Sequence, residues 1–143
     1  IKPEQLMLEI TESVFEEHSD SLKSDLFLLR QLGVKLSLDD FGTGYSSLAH
    51  LNNYPFDEIK IDMIFIWQLD NGSYGQAIVK AVNAIAAAIG ARVIAEGVES
   101  ADHVKILQEL GCRFGQGFYY NRPMPEGQFQ QLLGSLRTFA SQD

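Results

Sequence analysis

Asp39-Asp40-Phe41-Gly42-Thr43-Gly44 sets two adjacent carboxylates at the end of a hydrophobic run and directly before a glycine-rich turn. Paired carboxylates suit hard cations, which take oxygen ligands. On a regular strand the two side chains would point to opposite faces. Where the backbone bends at a strand end, both can turn toward one site. The flanking residues predict such an end, because Val34, Leu36 and Leu38 alternate with Lys35 and Ser37. The competing reading is a solvated Asp-Asp ahead of a turn, a common loop sequence. Gly42 and Gly44 would let the turn approach a ligand closely or move as a lid.

Polar chemistry recurs at the other predicted strand ends. Glu9 and Glu12 fall at the first, Lys60 and Asp62 at the third, Glu96 and Glu99 at the fourth, and Gln116 at the fifth. Lys60 and Asp62 are two apart and so share a strand face. Taken singly, each reads better as a surface group. Glu12 or Glu99 would then favour the start of a following helix, and Lys60 would snorkel. Taken together, five consecutive ends form a pattern. Clustered carboxylates repel unless cations neutralise them, and a lysine among them favours their ionised forms and lowers the pKa of a nearby water. Such a set fits metal-assisted phosphodiester hydrolysis, in which two cations about 4 Å apart serve the attacking water and the leaving oxygen.

The elements that must position these groups alternate. Strands are predicted at Leu6–Ile10, Lys35–Asp39, Ile59–Asp62, Arg92–Ala95 and Phe114–Phe118. Helical stripes are Leu22, Leu26 and Leu29 behind a Ser21 cap; Ile78, Val82, Ile85 and Ile89; and Val104, Leu107 and Leu110 behind Ser100 or Asp102. A last helix runs from Glu126 to about Phe139. These stripes are read as core packing. Three junctions repeat one pattern, at Leu32-Gly33-Val34-Lys35, Ile89-Gly90-Ala91-Arg92 and Leu110-Gly111-Cys112-Arg113. In each, glycine suits the left-handed position that ends a helix. Alternation of this kind predicts an α/β fold with a right-handed, mostly parallel sheet. Five strands suit an open sheet or about five β/α units of a TIM-like (β/α)8 barrel. A whole barrel takes about 250 residues, so 143 would supply the C-terminal portion. Active sites in parallel α/β folds lie beyond the C-terminal strand ends, where the polar groups above collect.

Composition is that of an ordinary globular domain, 45% hydrophobic and 21% charged. A net charge of −8 argues against a partner that is a nucleic-acid polymer. It leaves room for a nucleotide substrate if bound cations reverse the local field. The single cysteine, Cys112, excludes an internal disulfide and a zinc cluster, and fits a reducing, cytoplasmic setting. The longest apolar stretch, Ala77 to Ile89, is interrupted by Lys80 and Asn83 and is too short to span a bilayer. No membrane contact is expected from this segment, and no signal-peptide pattern opens the chain. The abrupt start at Ile1, close to a strand, suggests a piece of something longer.

Five motifs carry a resemblance. They are Leu8-Glu9-Ile10-Thr11-Glu12-Ser13, Asp39-Asp40-Phe41-Gly42-Thr43-Gly44-Tyr45-Ser46-Ser47-Leu48, Ile59-Lys60-Ile61-Asp62, Ala95-Glu96-Gly97-Val98-Glu99 and Gly115-Gln116-Gly117-Phe118. In order and spacing they resemble the EAL-domain family of cyclic di-GMP phosphodiesterases. The resemblance implies a (β/α)8-type barrel that hydrolyses cyclic di-GMP to linear pGpG with Mg²⁺ or Mn²⁺. It implies Glu9, Asp39, Asp40 and Glu96 as metal-site carboxylates, Lys60 to orient or activate the attacking water, and Gln116 to hold the water network. Glu12 would brace the turn containing Gly42, Thr43 and Gly44. Asp62 and Glu99 would support the site, and Pro123 would belong to a substrate-side loop.

The family's Glu-Ala-Leu motif is absent from the sequence, as is a metal-binding asparagine on the strand after it. Residues 1–143 are therefore expected to be a partial domain. Met63-Ile64-Phe65-Ile66-Trp67 departs from the polar-then-aromatic pattern usual there. The two outer strands would leave parallel edges open, predicting a homodimer or domain-swapped assembly. The alternatives to catalysis are a module that binds cyclic di-GMP or a partner protein, and a stable piece inactive alone.

Overall fold

A computed structural model describes residues 1–14, 19–42, 51, 54–70 and 73–140. Strands Met7–Thr11 (β1), Lys35–Phe41 (β2), Glu58–Ile61 (β3), Arg92–Ala95 (β4) and Phe114–Gly115 (β5) form one sheet in sequence order. Every pairing is parallel. The helices are Ser19–Gln31 (α1), Met63–Ile66 (α2), Ser73–Ile89 (α3), Ala101–Glu109 (α4) and Glu126–Ala140 (α5). Each predicted strand is present, and β4 has the predicted bounds.

The helix ends follow from glycine. Gly33, Gly90 and Gly111 have φ of 95°, 75° and 81°. This left-handed region costs glycine no Cβ clash, so each helix stops there and a strand follows within a few residues. Ser100 caps α4 by accepting a hydrogen bond from the His103 amide at 3.1 Å. Ser21 is not a cap, because α1 already begins at Ser19.

The two faces of the sheet differ. Leu36, Leu38, Ile59, Ile61, Val93 and Ala95 form one core with Leu26, Val79, Val82, Ala86 and Leu107 of the helices. The α3 stripe is centred one position away from the predicted one: Val79, Val82 and Ala86 are buried, whereas Ile78, Ile85 and Ile89 are partly so. On the opposite face Ser37, Glu58 and Lys60 are polar yet also buried. Ser37 Oγ donates to Glu58 Oε1 at 2.9 Å, and Arg92 Nε donates to Glu58 Oε2. Register places Ser37 beside Glu58 and Glu58 beside Arg92, so these three make a layer across β2, β3 and β4. All four β3 residues are buried, as expected of a central parallel strand covered on both faces.

β1 and β2 run on past their expected ends, to Thr11 and Phe41, and two other strands stop short. β3 stops at Ile61 because Asp62 turns away to cap α2, its Oδ1 accepting from the Ile64 amide at 2.7 Å. β5 stops at Gly115 because the chain folds onto the loop after β4. The Val98 amide donates to the Gln116 carbonyl and the Tyr119 amide to the Val98 carbonyl, both at 3.0 Å. Among the described residues no helix is long and apolar enough to cross a membrane.

Glu58 is 3% exposed. Glu58→Ala leaves the buried Ser37 hydroxyl and the Arg92 guanidinium without their shared acceptor. The expected loss is about 2 kcal/mol of unfolding free energy, read by urea denaturation, with Glu58→Gln losing less. An unchanged midpoint in Glu58→Ala would show that this layer does not hold the sheet.

Candidate functional site

Above the Ser37–Glu58–Arg92 layer, toward the C-terminal strand ends, the same face carries Asp39 on β2 and Lys60 on β3, with Glu9 on the flanking β1 and Glu96 just past β4. Lys60 Nζ lies 3.1 Å from Glu9 Oε2, 3.0 Å from Asp39 Oδ1 and 2.8 Å from Glu96 Oε1. The residue is only 5% exposed. Burial opposes its charge, but the hydrogen bonds to Glu96, Asp39 and Glu9 together outweigh it and hold the pKa above the ordinary lysine range. Lys60 is thus a fixed cation with three donors, each aimed at a carboxylate.

The adjacent acids meet through a backbone irregularity. Leu38 pairs with Ile59 and Phe41 with Ile61, so β2 spends one residue more than β3 over this span. Such a bulge bends the strand and re-aims side chains. Asp40 has φ of +54°, the one positive value outside glycine among the described residues. This conformation is costly for most residues and tolerated by aspartate. Asp39 Oδ1 accepts from the Asp40 amide at 3.1 Å. As a result Asp39, Asp40 and Glu96 each offer a carboxylate oxygen within 4.8 Å of the others. Partial burial, then the charges of Asp39 and Asp62 and a hydrogen bond with Asp62, raise the Asp40 pKa against the pull of Lys60. Burial also raises Glu96, which Lys60 only partly offsets.

The remaining predicted residues surround this cluster. Glu12 is buried and its Oε2 accepts from the Gly42 amide at 3.2 Å, beneath the acidic turn. Gly42, with φ of +98°, sits so close to Phe65 that a Cβ would lie 2.8 Å from its ring. Thr43 and Gly44 lie outside the described residues. Glu9 stands apart from the three-acid cluster, its side chain 53% exposed and tied to it through Lys60. Glu99 and Gln116 line a cavity of about 410 Å³ that includes Glu96. Pro123 lines a second hollow, which shares Gln116 and Phe118 with the first.

Sequence reasoning missed four contributors. Glu58 opens β3 and is buried, a role that no local pattern gives it. Met63 and Trp67 form the apolar wall of the cavity, although their run had been noted only as a departure. His103 is buried and bonded at both ring nitrogens. Its place three residues after the Ser100 cap was the available signal.

The donor set is entirely carboxylate oxygen, which fits a hard divalent cation rather than a thiolate-bound or imidazole-bound metal. With all groups ionised, Glu9, Asp39, Asp40 and Glu96 carry four negative charges against one ammonium. Two like charges about 4 Å apart repel by about 4 kcal/mol at an effective dielectric of about 20, so the cluster favours a further positive charge.

The EAL domain family model matches residues 1–123. The chain belongs to the EAL-domain family. It is 43% identical over 136 residues to the bifunctional diguanylate cyclase/cyclic di-GMP phosphodiesterase MucR of Pseudomonas aeruginosa, covering 95% of this chain and 19% of MucR. It is 41% identical over 124 residues to the cyclic di-GMP phosphodiesterase PdeR of Escherichia coli, covering 87% and 19%. The chain thus spans about a fifth of the length of each.

The structure of the MucR phosphodiesterase in complex with c-di-GMP superposes with a TM-score of 0.84 at 43% identity, covering 90% of this chain and 52% of that one. Klebsiella pneumoniae BlrP1, solved as a manganese/cy-diGMP complex, gives 0.81 at 37% identity, covering 86% and 31%. These neighbours are TIM-like barrels, of which the five-stranded sheet here matches a part.

Lys60→Met removes the charge that holds three carboxylates together. Breaking a buried ion pair on one side leaves the partner uncompensated. The half-exposed Glu9 softens the loss, to about 3 kcal/mol. Thermal melts should show Lys60→Met destabilised in chelator and regaining more stability than wild type when Mn²⁺ is added. Equal responses to Mn²⁺ would contradict a site in which Lys60 offsets part of the carboxylate charge.

Proposed function

We propose that residues 1–143 are the C-terminal portion of a phosphodiesterase barrel that hydrolyses cyclic di-GMP to linear pGpG with Mg²⁺ or Mn²⁺. The observation that carries this reading is the meeting of Asp39, Asp40 and Glu96 within 4.8 Å beside the buried Lys60. Its support from relatives is that MucR and PdeR are described as cyclic di-GMP phosphodiesterases and that BlrP1 was solved with manganese and the dinucleotide. Asp39, Asp40 and Glu96, with Glu9 swinging from Lys60, would hold the cation. When bound, it would polarise a phosphoryl oxygen and lower the pKa of a water.

The chain's own groups supply the rest. Lys60 stays protonated, so its role is to donate hydrogen bonds, orienting a water or a phosphate oxygen, and not to take up a proton. Glu12 keeps the Asp40–Gly42 turn in place through the Gly42 amide. Asp62 holds Asp40 from the α2 side. Gln116 and Glu99 shape the cavity beside Glu96. Gln116 would order water there, and Pro123 would flank the nucleotide from the neighbouring hollow. The family's Glu-Ala-Leu glutamate and the following asparagine lie outside this sequence, and a site completed by residues beyond 1–143 is part of the proposal. The nucleotide substrate and the buried, unpaired Cys112 support a cytoplasmic setting. β1 and β5 are the outer strands of the sheet, and Phe114 on β5 is half exposed. Edges of this kind support pairing with a second copy.

The test is hydrolysis of cyclic di-GMP with Mn²⁺, followed by chromatography of pGpG, for this chain and for a longer chain that includes the Glu-Ala-Leu segment. Asp39→Ala should lower turnover by about 100-fold or more in whichever chain is active. Nucleotide binding without turnover in both would support a binding module instead. Light scattering on the same samples should give twice the chain mass for residues 1–143, and a monomer at micromolar concentration would overturn the paired-edge reading.

A further inference from the structure

We propose that His103 is a positioning residue: it ties the loop Glu96–Glu99 to Asp70 and so fixes the two walls of the cavity beside the acidic cluster. The inference rests on the reading of that cluster as a cation site only for its consequence, not for the tie itself.

His103 occupies the first turn of α4, where its amide is taken by Ser100 Oγ at 3.1 Å. Helical side chains lean toward the N-terminus, and the imidazole leans back over the start of its own helix. There Nδ1 accepts from the Glu99 amide at 3.4 Å. A neutral imidazole with Nδ1 accepting carries its proton on Nε2, and Nε2 lies 3.4 Å from Asp70 Oδ2. One ring thereby bonds two segments that are far apart in sequence, with the tautomer fixed by the geometry. The imidazole is buried to 6% exposure, while the Asp70 side chain that meets it is half exposed.

The two segments are the cavity walls. Met63 and Trp67 belong to the stretch that ends at Asp70; Glu96, Gly97 and Glu99 form the facing loop. The walls also touch directly. A Cβ on Gly97 would lie 2.4 Å from Met63 Cβ and 3.3 Å from Trp67 Nε1. The Asp70 side is itself firm, since Leu69 is buried and its carbonyl accepts from Gln76 Nε2 at 3.2 Å. Glu96 directly precedes Gly97 and is bonded to Lys60 at 2.8 Å. Loosening His103 therefore frees the loop that carries a carboxylate of the acidic cluster.

Trp67 is the single tryptophan of the chain, so its fluorescence reports the wall contact. In the 143-residue chain, His103→Ala should raise acrylamide quenching of Trp67 by about 1.5-fold or more, with far-UV circular dichroism unchanged. Asp70→Ala should do the same, and Asp70→Asn, which keeps an acceptor for Nε2, should stay close to wild type. The double variant His103→Ala/Asp70→Ala should be no more quenched than His103→Ala alone, because the bond to Asp70 is already lost with the imidazole. Mn²⁺ affinity measured calorimetrically should fall about threefold to tenfold in His103→Ala, below the effect of losing a group bonded directly to a ligand. Additive quenching, or Trp67 indifferent to Asp70→Ala, overturns the tie. A wild-type chain that takes up no Mn²⁺ counts against the cation reading alone, and the Trp67 cycle still decides the role of His103.

Discussion

Burying one ammonium among carboxylates from three chain segments is the constraint on which this structure turns. Lys60 stands on β3, Asp39 on the neighbouring β2, Glu9 on β1 beyond it, and Glu96 just past β4 on the other side. Consecutive parallel strands bring these residues within reach of one ammonium, although Glu9 pairs with Ser37 and Lys60 with Ile94. The arrangement is costly in isolation. A buried ion pair gains little over hydrophobic packing, whereas an unpaired buried charge loses several kcal/mol. The sheet must therefore hold all partners at once. The polar layer below does so from beneath: Glu58, shared by Ser37 and Arg92, locks the three central strands at their N-terminal halves.

The two polar layers divide the labour. The lower is balanced, with Glu58 meeting Arg92 and Ser37. The upper is unbalanced toward negative charge and opens on a cavity. Physical chemistry gives the difference a direction. A satisfied network rigidifies, while burial, with the neighbouring acids adding to it, raises the pKa of Asp40 and Glu96, and an acid-rich cluster favours cations from solution. Strain sits at the same place. Asp40 is held at positive φ by the bulge, the Glu12–Gly42 bond and the Phe65 ring packed under the turn. Sparsely populated backbone of this kind persists where the surroundings over-determine it.

Much of this was legible in the sequence because it depends on short-range rules. Period-two alternation and helix-ending glycines located the strands, and parallel α/β topology then required their polar C-terminal ends to meet. The partnership of Asp39 with Asp40 was foreseeable only as a bend. The bulge that makes it depends on pairing between Leu38–Phe41 and Ile59–Ile61, which no local pattern encodes. Long-range partners were hidden for the same reason. Ser37 read as one polar position of an alternating strand, and only the sheet places Glu58 beside it. β5 ran short because backbone donors at Val98 and Tyr119 diverted it, a competition between segments rather than a property of either. Met63 and Trp67 became a cavity wall only when Gly97, lacking a Cβ, let them lie against its backbone.

The central claim is that the acidic cluster over Lys60 is a cation site and not an excess of surface charge. Calorimetric titration of Mn²⁺ into the chain, against the Asp39→Asn/Asp40→Asn/Glu96→Gln variant, tests it most directly. The account predicts saturable binding by the wild-type chain and none by the variant, with both retaining the same circular dichroism. Equal binding by the two, or no binding by the wild type, would contradict it.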